Sequence, residues 1–437
     1  RLPGTIEMYR AALALVEGDW PGTVTHAKRA IELSPEEDQL PRAGAAGLMG
    51  LAFWGSGDLE AGHRAYAECM AGLRRAGHVS DTFGCAIALA DIRIAQGRLG
   101  DAMRTYEQAL KLSVGPRGSD EGGLVLRGTA DMYVGMSEIH RERNDLPAAT
   151  RCLLRSQELG EHLGLPQNPH RWRVAMARVR EAKGDLDGAL DLLDEAERRY
   201  VSDFFPNVRP IPAMKARAWV RQGRLGEALG WTRERDLSAK DDLNYLQEFE
   251  HITFARVLLA QYAAEGEARV LDQVTGLLQQ LLQAAEAGAR TGSVIEILVL
   301  QALAGQARGD SPSMLALLQR ALTLAEPEGY VRIFVDEGSH MASLLRASAK
   351  HGIAPSYVRR LLAALNKTED SAPAHQGLVE PLSERELDVI RLLGTDLNGP
   401  DIARELVVSL NTVRTHTKNI YAKLGVNDRR AAVRRAQ

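Results

Sequence analysis

The chain has 437 residues, more than the roughly 100–200 usual for one domain, so several domains or a long repeat array are expected. Hydrophobic residues at 45% and charged residues at 25% are ordinary for a soluble globular protein; sparse aromatics at 5% and plentiful alanine, leucine and arginine favour helices. The formal net charge of -3 makes the chain as a whole acidic, and its three cysteines, Cys69, Cys85 and Cys152, form neither a C-x-x-C pair nor an even-numbered framework, which excludes a disulfide scaffold and fits buried thiols in a reducing compartment.

No N-terminal stretch joins a basic start to an apolar run and a small-residue cleavage site. The strongest apolar run, "SVIEILVLQALAG", is interrupted by Glu296 and is too short to span a bilayer. A cytoplasmic protein without membrane contact is expected. The chain begins at Arg1, and "RLPGTIEMYRAALALVEGD" already reads as the inside of a helical array, so a fragment of a longer protein is expected.

From the first residues to about position 325 one pattern recurs. "EGDWPGTVTHAKRAIELSP", "SGDLEAGHRAYAECMAGL", "QGRLGDAMRTYEQALKLS", "RNDLPAATRCLLRSQELG", "KGDLDGALDLLDEAERRY", "QGRLGEALGWTRERDLS" and "RGDSPSMLALLQRALTLAEPEG" each place Gly or Asn, then a polar residue, ahead of a helix rich in alanine and leucine. The markers are Gly18, Gly57, Gly97, Asn144, Gly184, Gly223 and Gly309, with Gly266 in the wide gap; the spacing of about 40 residues is that of a solenoid repeat. A glycine or asparagine can close one helix in the left-handed conformation, and the Asp that follows can cap the next. A second apolar helix lies upstream of each marker, as in "AAGLMGLAFWG" before Gly57. One such hairpin cannot bury both apolar faces, so neighbours must stack. The array resembles tetratricopeptide repeats, with units longer than the usual ones.

The concave face of such an array is where partners and ligands bind. Trp54, Phe83, Tyr133, Trp172, Arg173 and Trp219 fall on first helices of successive hairpins, which line that face in tetratricopeptide arrays; they are candidates for effector binding, with inter-helix core as the alternative. The loop "SVGPRGSDEGG" lacks the Lys-Ser/Thr ending of a phosphate cradle and reads as a flexible connection. Beyond Gly329 helical periodicity continues with Leu344, Leu345, Leu361, Leu362 and Leu365 as core positions, and residues 1–365 are read as one superhelix. "NKTEDSAPAHQGLVEP" then has no period and bears proline, so residues 366–380 read as a linker.

Residues 381–437 form a small module. Ser383 and Glu386 make a capping box with Leu382 and Leu387 as its staple, so a helix starts at Glu384 and buries Leu387, Ile390 and Leu393 or a neighbour. Pro400 fits the first turn of a short second helix with Ile402, Ala403 and Leu406 as its apolar positions. Ser409 and Gly425 bracket a third. On it Val413, Thr417, Ile420 and Leu424 form a buried stripe, while Asn411, Arg414, Thr415 and Lys418 share the opposite face. Two helices joined by a tight turn, the second offering such a face, is the plan that enters the DNA major groove. From Arg404 to the end eight Arg and Lys stand against Glu405 and Asp428, an electrostatic footprint for phosphate on an otherwise acidic chain.

"LSERELDVIRLL…DIARELVVSLNTVRTHTKNIYAKLGVNDRRAAV" closely resembles the LuxR-type helix-turn-helix domain of bacterial transcription factors. "GYVRIFVDEGSHMASLL" and the solenoid before it are similar to the sensor region of the MalT-like regulators, the large ATP-binding branch of that family. The resemblance implies that Arg414, Thr415 and Lys418 reach base edges and that Asn411, Thr412, Asn419 and Lys423 hold phosphates; it also implies duplex DNA, RNA polymerase and a small-molecule or protein effector as partners, and a homo-oligomer. A helix beginning near Asp428 resembles the family's dimerisation helix, and Asn398-Gly399-Pro400 stands where the family more often has Ser-Asn-Lys, which removes one phosphate contact. The family's ATPase module is expected before Arg1, since the chain has no G-x-x-x-x-G-K-[ST] and is expected to take no cofactor of its own.

The expectation is therefore an all-α protein, a tetratricopeptide-like superhelix followed by a LuxR-type helix-turn-helix domain, acting as an effector-sensing transcriptional regulator of the activating kind. The alternative is an interaction scaffold whose basic tail holds nucleic acid without sequence preference. An enzyme is not expected: no H-E-x-x-H, G-x-S-x-G or clustered metal ligands occur, and His416 on the DNA-reading helix is read as a packing or phosphate-contacting residue.

Overall fold

The structure, a computed structural model, describes residues 2–113, 126–160, 163–202, 204–309, 311–371, 384–395, 397–406, 410–424 and 429. Its regular elements are helices, and no strand occurs among the described residues. The chain divides into two compact units, Arg1–Thr368 and Glu369–Gln437.

Unit one is built from antiparallel pairs: α1 (Leu2–Val16) with α2 (Trp20–Leu33), α3 (Gln39–Ser56) with α4 (Leu59–Arg75), α5 (Thr82–Ala95) with α6 (Leu99–Ser113), α7 (Thr129–Glu142) with α8 (Leu146–Leu159), α9 (Asn168–Ala182) with α10 (Leu186–Arg198), α11 (Ile211–Arg221) with α12 (Leu225–Glu234), α13 (Glu248–Glu265) with α14 (Ala268–Ala287), and α15 (Thr291–Arg308) with α16 (Ser311–Ala325). A short α17 (Arg332–Val335), α18 (Gly338–Lys350) and α19 (Pro355–Ser371) complete it.

The turns are where the sequence places them. Gly18, Gly57, Gly97, Asn144, Gly184, Gly223, Gly266 and Gly309 all have positive φ, the left-handed conformation that ends a helix and reverses the chain. Gly57 carries a second constraint, because a Cβ there would sit 3.0 Å from the Tyr245 Cβ. After four of these turns an aspartate caps the next helix: Asp19, Asp58, Asp145 and Asp185 accept from the backbone N–H of Gly22, Ala61, Ala148 and Gly188 at 2.9–3.0 Å.

Stacking of hairpins brings distant parts of the chain together. α15 packs on α5, the 3-10 turn Tyr245–Gln247 packs on α3, and α17 packs on α7. Backbone bonds fix the return: Val331 N–H donates to Glu142 O at 3.0 Å, and Gly100 N–H donates to the Glu328 carboxylate at 2.7 Å. One apolar core therefore runs from Phe83, Ile87 and Tyr106 on early helices through Leu278 and Leu298 to Phe334, Leu345 and Leu361. Cys69 and Cys85 are buried with their sulfurs 3.5 Å apart, and the hydrogen bond with Cys69, then burial, push the Cys85 thiol up; Cys152 is half-buried.

Of the late leucines, Leu344, Leu345, Leu361 and Leu365 are buried and Leu362 is half-buried. Residues 366–371, assigned from sequence to a linker, are instead the last turns of α19, whose helical pattern persists past Asn366. Residues 372–380 and the loop residues 114–123 lie outside the described residues.

Unit two holds α20 (Glu384–Leu393), α21 (Gly399–Glu405) and α22 (Leu410–Leu424). Its core is Val389, Ile390, Leu393, Ile402, Ala403, Val413 and Ile420. Leu387, expected in that core, is exposed, and Val389 takes the inward position two residues on. Ser383, Ser409, Gly425 and Asp428 lie outside the described residues.

Candidate nucleic-acid interface and inner cavity

α21 starts with a full capping box that sequence reading missed. The Asn398 side chain accepts from Asp401 N–H at 3.0 Å, and the Asp401 carboxylate accepts from Asn398 N–H at 3.4 Å, with Pro400 in the first turn. The N-x-x-D spacing was the available signal. Ile402 and Ala403 on α21 and Val413 and Ile420 on α22 then lock the two helices onto α20.

That anchoring leaves one face of α22 outward. Arg414, Thr415 and Lys418 are exposed, and neither Arg414 nor Lys418 has an ion-pair partner among the described residues. Thr412 and His416 are half-buried; Thr417 turns its hydroxyl back to the Val413 carbonyl at 2.8 Å. The side chains of Asn411, Asn419 and Lys423 lie outside the described residues. Two residues counted from sequence as part of the cationic footprint have other partners. Arg429 donates to the carbonyls of Leu393 and Thr395 at 2.8 and 2.6 Å, closing the C-terminal end of α20 with a cation, and Arg404 pairs with Asp401.

Unit one contains a second candidate site. Between α7, α9, α10 and α11 on one side and α13, α15 and α17 on the other lies a cavity of about 860 Å³. Six arginines and four carboxylates line it, together with Leu186, Met214, Phe249, Leu259 and Leu303. Glu296 Oε1 is shared by Arg217 Nη1 at 2.7 Å and Arg256 Nη2 at 2.9 Å; Arg256 also reaches Glu337 at 2.5 Å. Arg178 pairs with Glu138 at 3.0 Å, and Asp336 is shared by Arg141 and Arg332. Arg217 stands over the Phe249 ring, 3.8 Å from its centroid, and donates to Thr253 Oγ1 at 2.7 Å, but its Nη2 is buried with no partner. Arg209 lies over the same ring at 5.9 Å and has no ion pair among the described residues. Arg178 and Arg209 also line two neighbouring spaces of about 200 and 90 Å³.

Burial penalises Glu296, yet Arg217 and Arg256 overcome it and hold the carboxyl at about 2. For Arg217 burial dominates, and with Arg256, Arg209 and Arg178 near it outweighs Glu296, so its pKa falls to about 10. The cavity is thus short of negative charge around Arg217.

The six residues put forward from sequence as effector-binding do not form one site. Phe83 is wholly enclosed in the main core. Trp54 is buried against Tyr66 and Phe205, donates to the Tyr245 hydroxyl, and alone of the six reaches one of these three spaces, that of about 200 Å³. Trp172 packs on Val134, Ala149 and Leu153 and donates to the Leu153 carbonyl at 2.8 Å; Arg173 pairs with Glu195 at 3.0 Å. Trp219 lies under Lys215 and Arg224, and Tyr133 is half-buried beside Arg155. Inter-helix packing draws these aromatics, and the cavity is lined by arginines that include Arg178 and Arg141, whose partners Glu138 and Asp336 lie 40 and 195 residues away.

A helical-hairpin solenoid followed by a unit whose described residues form α20, the capped α21 and α22 with a polar outer face defines the class of helix-turn-helix proteins that carry a repeat region. The comparisons agree: residues 4–351 match the MalT-like TPR region, and residues 380–436 match the bacterial regulatory proteins of the luxR family. The chain belongs to the MalT-like, LuxR-type family of DNA-binding regulators. It is 29% identical over 299 residues to the HTH-type transcriptional regulator MalT of Klebsiella pneumoniae strain 342, and equally to that of Klebsiella pneumoniae subsp. pneumoniae strain ATCC 700721 / MGH 78578. In both cases the match takes in 62% of this chain and 32% of the relative, so the chain spans about a third of the length of these regulators. The solved TPR domain of P58(IPK) aligns with 85% of this chain and 99% of its own at 13% identity, with a TM-score of 0.23 that carries no weight for the fold. No described helix is long and apolar enough to cross a membrane.

Proposed function

We propose that the chain is a sequence-specific transcriptional activator in the cytoplasm, in which the helices up to residue 371 sense an effector and residues 381–437 read DNA and engage RNA polymerase. The observation that carries this reading is the outward face of α22, where Arg414, Thr415 and Lys418 are exposed on a helix fixed from behind by Val413 and Ile420. Arg414 and Lys418 supply donors for guanine and Thr415 a hydroxyl for a neighbouring base, with Asn411, Thr412, Asn419 and Lys423 assigned to the phosphates. An arginine that bonds two acceptors of one guanine separates the right base from the wrong one by about 1–3 kcal/mol. The mechanism is a population shift: the effector favours an assembly that sets two tails on adjacent half-sites, with nucleotide-driven assembly supplied by an ATPase module in a longer parent chain.

The test is selection of duplexes from a randomised pool, with affinity followed against salt. Enrichment of paired half-sites that Arg414→Ala and Lys418→Ala each relax at one position supports sequence reading. Salt-sensitive binding with nothing enriched overturns it in favour of a scaffold with a non-specific tail.

A further inference from the structure

We infer that the 860 Å³ inner cavity is a binding site for an organic anion with an apolar body, its carboxylate or phosphate held between Arg209 and Arg217 and its body laid against Leu186, Met214, Leu259 and Leu303. The inference rests on the sensing role proposed for the solenoid and adds the chemistry of what is sensed. The volume is that of a site for a drug-sized molecule, and its walls mix apolar side chains with a few convergent polar groups, as such sites do.

Charge selects the anion. Six arginines line the space against four carboxylates; Arg178 and Arg141 also pair with Glu138 and Glu142 just outside it, Glu296 serves two arginines at once, and Arg209 is left over. Arg209 has no ion pair among the described residues, and Arg217 keeps a buried Nη2 that nothing in the protein satisfies. A buried donor without a partner is costly, and an anionic oxygen placed there removes that cost with a charge-assisted bond. Phe249 carries the half-buried Arg217 guanidinium over its ring at 3.8 Å, so that group is positioned before any ligand arrives, and the exposed Arg209 reaches the same ring at 5.9 Å. A neutral ligand leaves the charge imbalance in place, and a cation worsens it. The depressed pKa of Arg217 has the same origin, since an added negative charge would raise it toward the ordinary arginine range. Because the walls come from α7, α9, α10 and α11 and from α13, α15 and α17, a bound anion adds a link between two stretches of the superhelix already joined by the Arg217–Glu296 pair.

The test titrates the full chain calorimetrically with 4-phenylbutyrate, 4-phenylbutyl phosphate, 4-phenylbutan-1-ol and 4-phenylbutylamine at fixed ionic strength. The two anions are expected to bind at least tenfold more tightly than the alcohol, with no heat from the amine. Arg217→Met is expected to weaken the anions at least tenfold. Arg209→Gln, which removes an arginine that no ion pair holds, repeats the test without touching the Glu296 pair. Equal affinity for alcohol and anion, unchanged affinity in Arg209→Gln, or no binding by either anion overturns the proposal. Operator binding is read in the same samples. Anion binding that depends on both arginines but leaves operator affinity unchanged establishes the site and removes the sensing role; an operator response to the alcohol and not to the anions does the reverse.

Discussion

The indole Nε1 of Trp54 donates to the Tyr245 hydroxyl at 3.2 Å, across 191 residues of chain. Trp54 lies in the last turn of α3, and Tyr245 opens the 3-10 turn that leads into α13, so the bond joins the early hairpins to the later ones. Trp54 is also packed edge-on to Tyr66 at 6.3 Å. Tyr245→Phe removes the hydroxyl alone and is expected to cost about 0.5–1.5 kcal/mol. Trp54→Ala also empties a core position and is expected to cost about 3–5 kcal/mol. Urea unfolding of the full chain measures both; a Trp54→Ala loss as small as that of Tyr245→Phe would show that the indole contributes no packing.

Gly135, in the middle of α7, is set by the Tyr106 ring. A Cβ at that position would lie 2.2 Å from the Tyr106 Cζ, and Tyr106 cannot retreat because it is wholly buried and donates to Asp91 at 3.1 Å. Alanine normally favours a helix over glycine by about 1 kcal/mol. Here overpacking is expected to reverse that sign, with Gly135→Ala losing about 1–3 kcal/mol. A stabilised variant in thermal or urea unfolding would refute the close packing of α6 on α7.

The repeat was legible because its punctuation is local. A left-handed Gly57 or Asn144 and the capping Asp58 or Asp145 are decided by residues within one turn, and each is readable in a window of about ten residues. The outer face of α22 was legible for the same reason, since Val413 and Ile420 fix its rotation. The inner cavity was not. Arg217 meets Glu296 over a separation of 79 residues, and Arg141 meets Asp336 over 195; these pairs exist only once the hairpins have wound back on themselves. Leu387 misled for a smaller reason: with Ile390 and Leu393 fixed inward, either Leu387 or Val389 completes the stripe, and packing selects Val389.

His170 gives unit one a pH-dependent stability. Its ring is buried against Tyr200, with centroids 4.9 Å apart, and its Nδ1 has no partner. Burial, then the Arg171 cation, lowers its pKa from 6.5 to about 4. Between those values the unfolded chain carries a proton that the folded chain refuses, so stability is full above about pH 6.5 and falls as pH drops toward 4. Glu296, held at about 2, contributes its own loss only below the ordinary glutamate value, in a separate window. His170→Phe keeps the ring stack and is expected to reduce the dependence between pH 6.5 and 4.5, leaving the share of His63 and His140, which burial also holds below the ordinary histidine value. Urea midpoints at pH 7.5, 6.0 and 5.0 check this; parallel losses in both proteins would assign the dependence elsewhere.

The two faces of α22 are expected to fail differently. Ile420 is fully buried among Val389, Ile402 and Val413, and its truncation to alanine is expected to cost unit two about 2–5 kcal/mol. A unit this small has little stability in reserve, so hydrogen exchange in peptides from α20 to α22 should accelerate strongly. Arg414 is exposed and unpaired among the described residues, so Arg414→Ala is expected to leave that exchange unchanged within about 0.5 kcal/mol. Its effect should fall on DNA, as a loss of discrimination of about 1–3 kcal/mol at one base position. If Arg414→Ala instead accelerates exchange across α20 to α22, the residue supports the fold, and base reading moves to Lys418 and Thr415.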